Sequence, residues 1–168
     1  DPMLLLLASG MLTVVFSALL NNVTAMIIVG SLTAVSLEKL KQRERLLGFL
    51  LIEGLLTNVG GLLTLISSVP NIIVGQAAGI SFVSFFVVAG PYVLVASLLT
   101  LALGARIYGI KRLKDPVQKA KAAARVGSFD ERDGIESVGF FWFSASMLVL
   151  FIAAIAMPSG LGYPPGIG

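Results

Sequence analysis

The sequence predicts an all-α, polytopic membrane protein, and three observations carry that prediction. Of its 168 residues, 57% are hydrophobic and only 12% are charged, with a mean hydropathy of +0.96, far from the roughly half-apolar, quarter-charged make-up of water-soluble domains. Apolar runs long enough to cross a bilayer succeed one another along the chain. All 12 lysines and arginines fall within 39–45 or 106–132. That is the pattern of short loops at one membrane face, and it excludes a nucleic-acid surface despite the net charge of +3. Cysteine and histidine are absent, which removes thiol nucleophiles, the commonest soft metal ligands and the near-neutral imidazole base.

Residues 3–37 are almost continuously apolar, too long for one span of about 20 residues unless interrupted. Asn21-Asn22-Val23-Thr24 interrupts them near the middle. Either one long tilted helix or two half-helices in a re-entrant hairpin would accommodate this, and the hairpin is favoured, because irregular backbone at membrane depth persists only where it lines a protein cavity. The charged connector 38–45 comes next. Residues 46–75 are apolar again but hold Thr57-Asn58-Val59-Gly60-Gly61 and Ser67-Ser68-Val69-Pro70-Asn71, where paired glycines and a proline predict an interrupted helix. Residues 76–80 read as an uncharged turn, 81–108 as a span with a proline kink at Gly90-Pro91, and 138–157 as a final span ended by Pro158.

Cation-rich loops stay cytoplasmic, which places 38–45 and 106–137 inside and the 76–80 turn outside. Within 109–137, Lys111, Arg112, Lys114, Lys119, Lys121, Arg125 and the 130–133 cluster read as a solvated connector, with 118–125 able to form a surface helix over anionic lipid. Trp142 and Tyr163 are placed to act as interfacial anchors. The start Asp1-Pro2-Met3 lacks the basic region of a removable signal peptide, and the end Pro164-Pro165-Gly166-Ile167-Gly168 lacks a polar tail. A piece of a longer protein is the expectation.

The polar residues inside these runs are the candidate site. Asn21, Asn22 and Thr24 must find partners, since unsatisfied polar groups in lipid cost free energy. They serve either as interhelical glue or as ligands at the hairpin tip. At Thr57, Asn58, Gly60, Gly61 and Thr64, small residues let the backbone unwind. Freed carbonyls can then hold Na+, and the half-helix beyond presents its positive N-terminal end to an anion; the competing reading is close helix packing. Ser67 and Asn71 lie one half-helix further on, where Pro70 ends or kinks the segment and Asn71 can cap the next helix, or where a helix merely ends. Glu53 is the single acid inside a span. Ionised at the bilayer centre it would cost about 2.5–3.5 kcal/mol, so it is expected to be protonated, paired or wet, serving proton or cation coupling or a structural hydrogen bond.

Three runs carry a family resemblance. Ser17-Ala18-Leu19-Leu20-Asn21-Asn22-Val23-Thr24, Leu56-Thr57-Asn58-Val59-Gly60-Gly61 with Thr64, and Val69-Pro70-Asn71-Ile72-Ile73-Val74 resemble, in order and spacing, the ion transporter superfamily. The similarity is to the branch of arsenite permeases, the melanosomal P protein and the citrate and dicarboxylate carriers, over about residues 10–105. The resemblance implies two inverted repeats, each with a re-entrant hairpin and an interrupted helix, and substrate held between the hairpin tips. It assigns 1–108 to the first repeat's transport region, 109–137 to a cytoplasmic linker and 138–168 to the first span of the second repeat with an external loop. The second hairpin is not in this sequence, so this piece is not expected to transport alone. Two positions depart from the family pattern: Asn21 and Ser68 stand where aspartates are common. With those charges gone, the site suits an anion or neutral oxyacid better than Na+/H+ exchange, and Glu53, which has a family counterpart, is left as the candidate for protonation.

The expected function is therefore that of a fragment of a secondary active transporter, not an enzyme. It would move arsenite or an organic or inorganic anion by alternating access, coupled to a proton or Na+ gradient, without cofactor, metal centre or catalytic residues. The alternatives are a Na+/H+ antiporter of the same superfamily and a non-transporting membrane anchor or assembly subunit. Expected partners are the lipid bilayer, a small anion or oxyacid substrate and the remaining half of the transporter, with a homodimer left open and nucleic acid excluded.

Overall fold

A computed structural model describes residues 1–112 and 138–156. The expectations for 113–137, for Pro158 and for Tyr163 lie outside the described residues. Within them the chain forms helices α1 (Pro2–Leu19), α2 (Asn22–Lys39), α3 (Leu46–Gly60), α4 (Val69–Ala78), α5 (Phe82–Ile107) and α6 (Val138–Ala156), with a 3-10 turn at Arg43–Arg45 and no strand. Pro2–Leu19 and Phe82–Ile107 are long and apolar enough to cross a membrane by length and composition.

Local chemistry sets the helix ends. Asp1 caps α1 by accepting from the Met3 amide at 3.1 Å, with Pro2 in the first turn, where its missing N–H costs nothing. Leu20 turns extended, and α2 begins at once because Asn21 Oδ1 accepts from the Thr24 amide at 2.8 Å. After α2 the chain reverses through Lys41 at φ 55, with the Gln42 amide donating to the Leu37 carbonyl at 2.8 Å. Ser81 caps α5 through the Ser84 amide at 3.2 Å, and α5 runs unbroken through Pro91.

The two breaks sit slightly differently from the motifs that predict them. Thr57, Asn58, Val59 and Gly60 remain helical, and the interruption of 46–75 occupies 61–68 instead. Helix hydrogen bonds reach back toward the N-terminus, so glycines near the end of α3 weaken the turn after them more than the turn before. Pro70 lies in the first turn of α4 and so starts a helix where the sequence reading has it ending one. Helix α4 also takes in Gln76, Ala77 and Ala78 from the expected turn, which contracts to Gly79, left-handed at φ 63, and Ile80.

Helix α3 is the centre of the bundle, packed against α1, α2 and α5 around Leu6, Phe49, Ile52, Leu56 and Leu101. Glycines permit the close approach: a Cβ on Gly104 would lie 2.5 Å from Ile52, one on Gly10 2.6 Å from Leu101, and one on Gly48 3.0 Å from Tyr108. These pairings run α5 antiparallel to α3. The approaches of Gly10 to Leu56 and of Val14 to Gly60 run α1 parallel to α3, so α1 and α2 form an antiparallel hairpin. Its open end lies beside the end of α5, where Arg112 pairs with Asp1 at 3.6 Å. The described parts of both basic windows thus meet at one end, around a cavity of about 260 Å³ lined by Glu44, Arg45, Gly48, Tyr108, Gly109 and Ile110.

Candidate functional site

The closed end of the hairpin meets the end of α3. With Gly104 beside Ile52, an advance of eight residues to Gly60 corresponds on the antiparallel α5 to Ala96, close to the middle of that 26-residue helix. At this level the Asn22 amide group donates to Asn58 Oδ1 at 3.1 Å, and the Asn58 amide group donates in turn to the Gly54 carbonyl at 3.2 Å. Asn58 is exposed and Asn22 half-buried. Asn22 belongs to the first turn of α2, whose free amides carry partial positive charge.

The same amide chain fixes the other face of Asn22. Its Oδ1 lies 2.8 Å from the Ser17 hydroxyl, which also reaches the Thr57 carbonyl. One hydroxyl proton thus faces two acceptors. Turning the Asn22 amide over would set two oxygens against each other at Asn58, whose own orientation is held by Gly54. Ser17 Oγ and Asn22 Oδ1 therefore form a proton-poor oxygen pair, an arrangement that an added donor or a small hard cation relieves. Gly61 closes this corner: a Cβ there would stand 2.7 Å from Asn22 Oδ1.

The remaining candidate residues are bonded or packed within the protein. Asn21 accepts from the Thr24 amide and is the cap of α2. Thr57 donates to the Gly54 carbonyl at 2.8 Å. Thr64, which is buried, ties the break to the hairpin by donating to the Ala18 carbonyl. Ser67 donates to the Gly61 carbonyl and, at 3.0 Å, to that of Thr64, while the Asn71 amide group donates to both at 2.9 Å. The carbonyls of Thr57, Gly61 and Thr64, expected to be free for a cation, are accepting from protein donors, and Asn71 staples the break instead of capping α4. Gly60 packs on the backbone of Val14, where a Cβ would lie 2.7 Å from its carbonyl oxygen.

Glu53 lies apart from the tip, fully buried between the hairpin arms and α3, with Oε1 accepting from the Thr33 hydroxyl at 2.6 Å. Ser17, Ser9 and Thr33 are the site-forming residues that reasoning from sequence passed over. The signal was the recurrence of Ser9, Thr13 and Ser17 at four-residue spacing, which puts three hydroxyls on one face of α1. Among the described residues no group of three or more acidic, histidine or cysteine side chains is placed to hold a metal ion.

Comparison with known proteins gives this geometry a family. The profile described as Citrate transporter matches residues 1–167. A mycobacterial protein named an uncharacterized transporter, from Mycobacterium bovis, is 28% identical over 167 residues, covering 99% of this chain and 37% of its own length. An uncharacterized transporter of Mycobacterium tuberculosis is 31% identical over 158 residues, 94% of this chain and 35% of its own. A 46 kDa membrane protein of Mycobacterium leprae is 30% identical over 162 residues, 94% and 36% respectively. The chain therefore spans little more than a third of the curated relatives it matches, and no solved structure matches it. With nearly every residue inside the family match and an all-helical, apolar fold among the described residues, this chain is an integral membrane protein belonging to the citrate transporter family.

Proposed function

We propose that the chain is the first-repeat portion of a secondary transporter that moves a small anion, with the hairpin tip and the end of α3 forming half of its substrate site. The observation that carries this is the contact of Asn22 with Asn58 beside the two helix breaks. The amide groups of Asn22 and Asn58 and the N-terminus of α2 present donors without a fixed positive charge, which suits a carboxylate that must bind and leave. The family description favours an organic carboxylate of the citrate type over arsenite as cargo.

Membrane depth supports the same reading. Helix α5 is about 39 Å long at 1.5 Å per residue, enough to cross the hydrocarbon core, and the tip lies at its midlength. A hairpin that opens at the basic face and closes halfway along α5 is re-entrant, and that basic face is then cytoplasmic. Proton or Na+ gradients are the available driving forces. A Na+/H+ antiporter would differ by changing lumenal pH with Na+ alone.

The test uses the full-length protein in proteoliposomes with radiolabelled citrate as probe. Asn22→Ala and Asn58→Ala are each expected to lower uptake at least tenfold with membrane insertion intact. Wild-type uptake by both variants would refute the site.

A further inference from the structure

The group centred on Glu53 is the one buried acid of the described helices, and the tip site does not use it. Its carboxyl is fully buried, Oε1 accepts from Thr33 of α2, and Ser9 of α1 faces it. By geometry neither Ser9 Oγ nor Glu53 Oε2 has a hydrogen-bond partner, although both atoms are buried. The Ser9 hydroxyl has a proton of its own to give Oε2, so what the pocket leaves uncompensated in the ionised state is the charge of the carboxylate, and native interiors rarely bury such a charge unpaired. No countercharge among the described residues closes the gap. The helices packed on α3 here are α1, α2 and α5. Helix α1 has no charged residue, and the only charges on the other two are Glu38, Lys39 and Arg106, all exposed toward the basic end. The adjoining Arg43, Glu44 and Arg45 lie at that end too.

We propose that Glu53, with Ser9 and Thr33, is a proton-binding site that couples transport to a proton gradient. Oε2 takes a proton from water on one side, holding it toward Ser9 Oγ while Thr33 keeps its bond to Oε1, and returns it to water on the other. Both states satisfy the two atoms, Oε2–H donating to Ser9 Oγ when neutral and the Ser9 hydroxyl donating to Oε2 when ionised, but the ionised form leaves an uncompensated charge between both hairpin arms and α3, which costs free energy and loosens that packing. The buried hydroxyl row Ser9, Thr13 and Ser17 links this site to the tip. Thr13 donates to the Ser9 carbonyl at 2.8 Å and Ser17 touches Asn22, so one helix face about 12 Å long joins the proton to the substrate residues. This inference rests on the transport reading and adds the residue that carries the coupling ion.

Infrared difference spectra of the purified full-length protein between acidic and alkaline pH test the site without any substrate. A buried carboxylic-acid band that titrates in the wild type should vanish in Glu53→Gln and shift in Thr33→Val. The same band unchanged in Glu53→Gln, or no titrating band at all, would overturn the proposal. In proteoliposomes, citrate accumulation driven by an imposed pH gradient should fall at least tenfold in Glu53→Gln while citrate counterflow, which needs no net proton movement, persists. Thr33→Val should move the pH midpoint of uptake. Gradient-driven accumulation by Glu53→Gln equal to wild type, or an unmoved midpoint in Thr33→Val, would also overturn it. Loss of counterflow in Asn22→Ala reports the tip site alone, so the two readings fail separately.

Discussion

Gly60 shows how single atoms decide the joint between the hairpin and α3. A methyl group there would lie 2.7 Å from the Val14 carbonyl oxygen and 2.8 Å from its Cα, and backbone cannot step aside as a side-chain tip can. Gly60→Ala is therefore expected to destabilise the protein by about 1–3 kcal/mol, the usual cost of overpacking. Gly54, six residues earlier on the same helix, has nothing within 4 Å of the added carbon, and Gly54→Ala should be neutral or stabilising by up to about 1 kcal/mol through helix propensity. Thermal denaturation followed by fluorescence-detected size exclusion would compare the two. Equal losses would show that the close approach of α1 and α3 does not set stability at this joint. The glycine pair is legible in sequence as a site of close approach or unwinding. Which glycine does which is not, because that depends on what stands opposite: backbone at Gly60, the Asn22 amide at Gly61.

Helix α2 begins two residues after the extended Leu20, and its start depends on Asn21. Replacing that cap with alanine removes the bond to the Thr24 amide, at a typical cost of about 0.5–2 kcal/mol. Asn21→Ala should therefore lower the melting temperature while leaving citrate affinity within about threefold of wild type; abolished binding at unchanged stability would reassign Asn21 from cap to ligand. Its neighbour Asn22 is the opposite case, with its side chain spent across the bundle. Sequence places both asparagines at a helix break. Only the backbone geometry, with Asn21 extended and Asn22 already helical, separates the residue that builds the element from the one that faces another. The interrupted segment divides in the same way: Thr64, Ser67 and Asn71 knit 61–68 into a fixed shape, which leaves Asn58 as the exposed polar side chain at the end of α3.

At the scale of the molecule, α1 and α3 run in one sense, α2 and α5 in the other, and the cations of the described residues collect at one end. Native cysteine is absent from this chain, so once any cysteine elsewhere in the full-length protein is replaced, introduced cysteines report sidedness without background. Lys41→Cys and Arg112→Cys in the full-length protein are expected to react with an impermeant maleimide from the cytoplasmic face only, and Gly79→Cys from the external face only. Labelling of Lys41→Cys and Arg112→Cys from opposite faces would break both the hairpin arrangement and the orientation. The long exposed face of α5, carrying Val87, Val88, Leu94, Leu98 and Leu103, is what a helix against lipid, or against the rest of a larger membrane protein, presents.

Composition and cation placement were enough to determine that this is a helical membrane protein, and asparagine, glycine and proline inside apolar runs were enough to predict two breaks, the second of which lies just beyond its motif, at 61–68. These are local matters: solvent transfer of side chains and the backbone preferences of single residues. The tertiary structure decided the pairings, among them Asn22 with Asn58 across 36 residues, Thr33 with Glu53 across 20 and Thr64 with Ala18 across 46. Helices apolar on nearly every side carry no periodic stripe to declare which face turns inward. Rotation and register are then settled by the fit of small residues against their neighbours, which exists only once the helices have met.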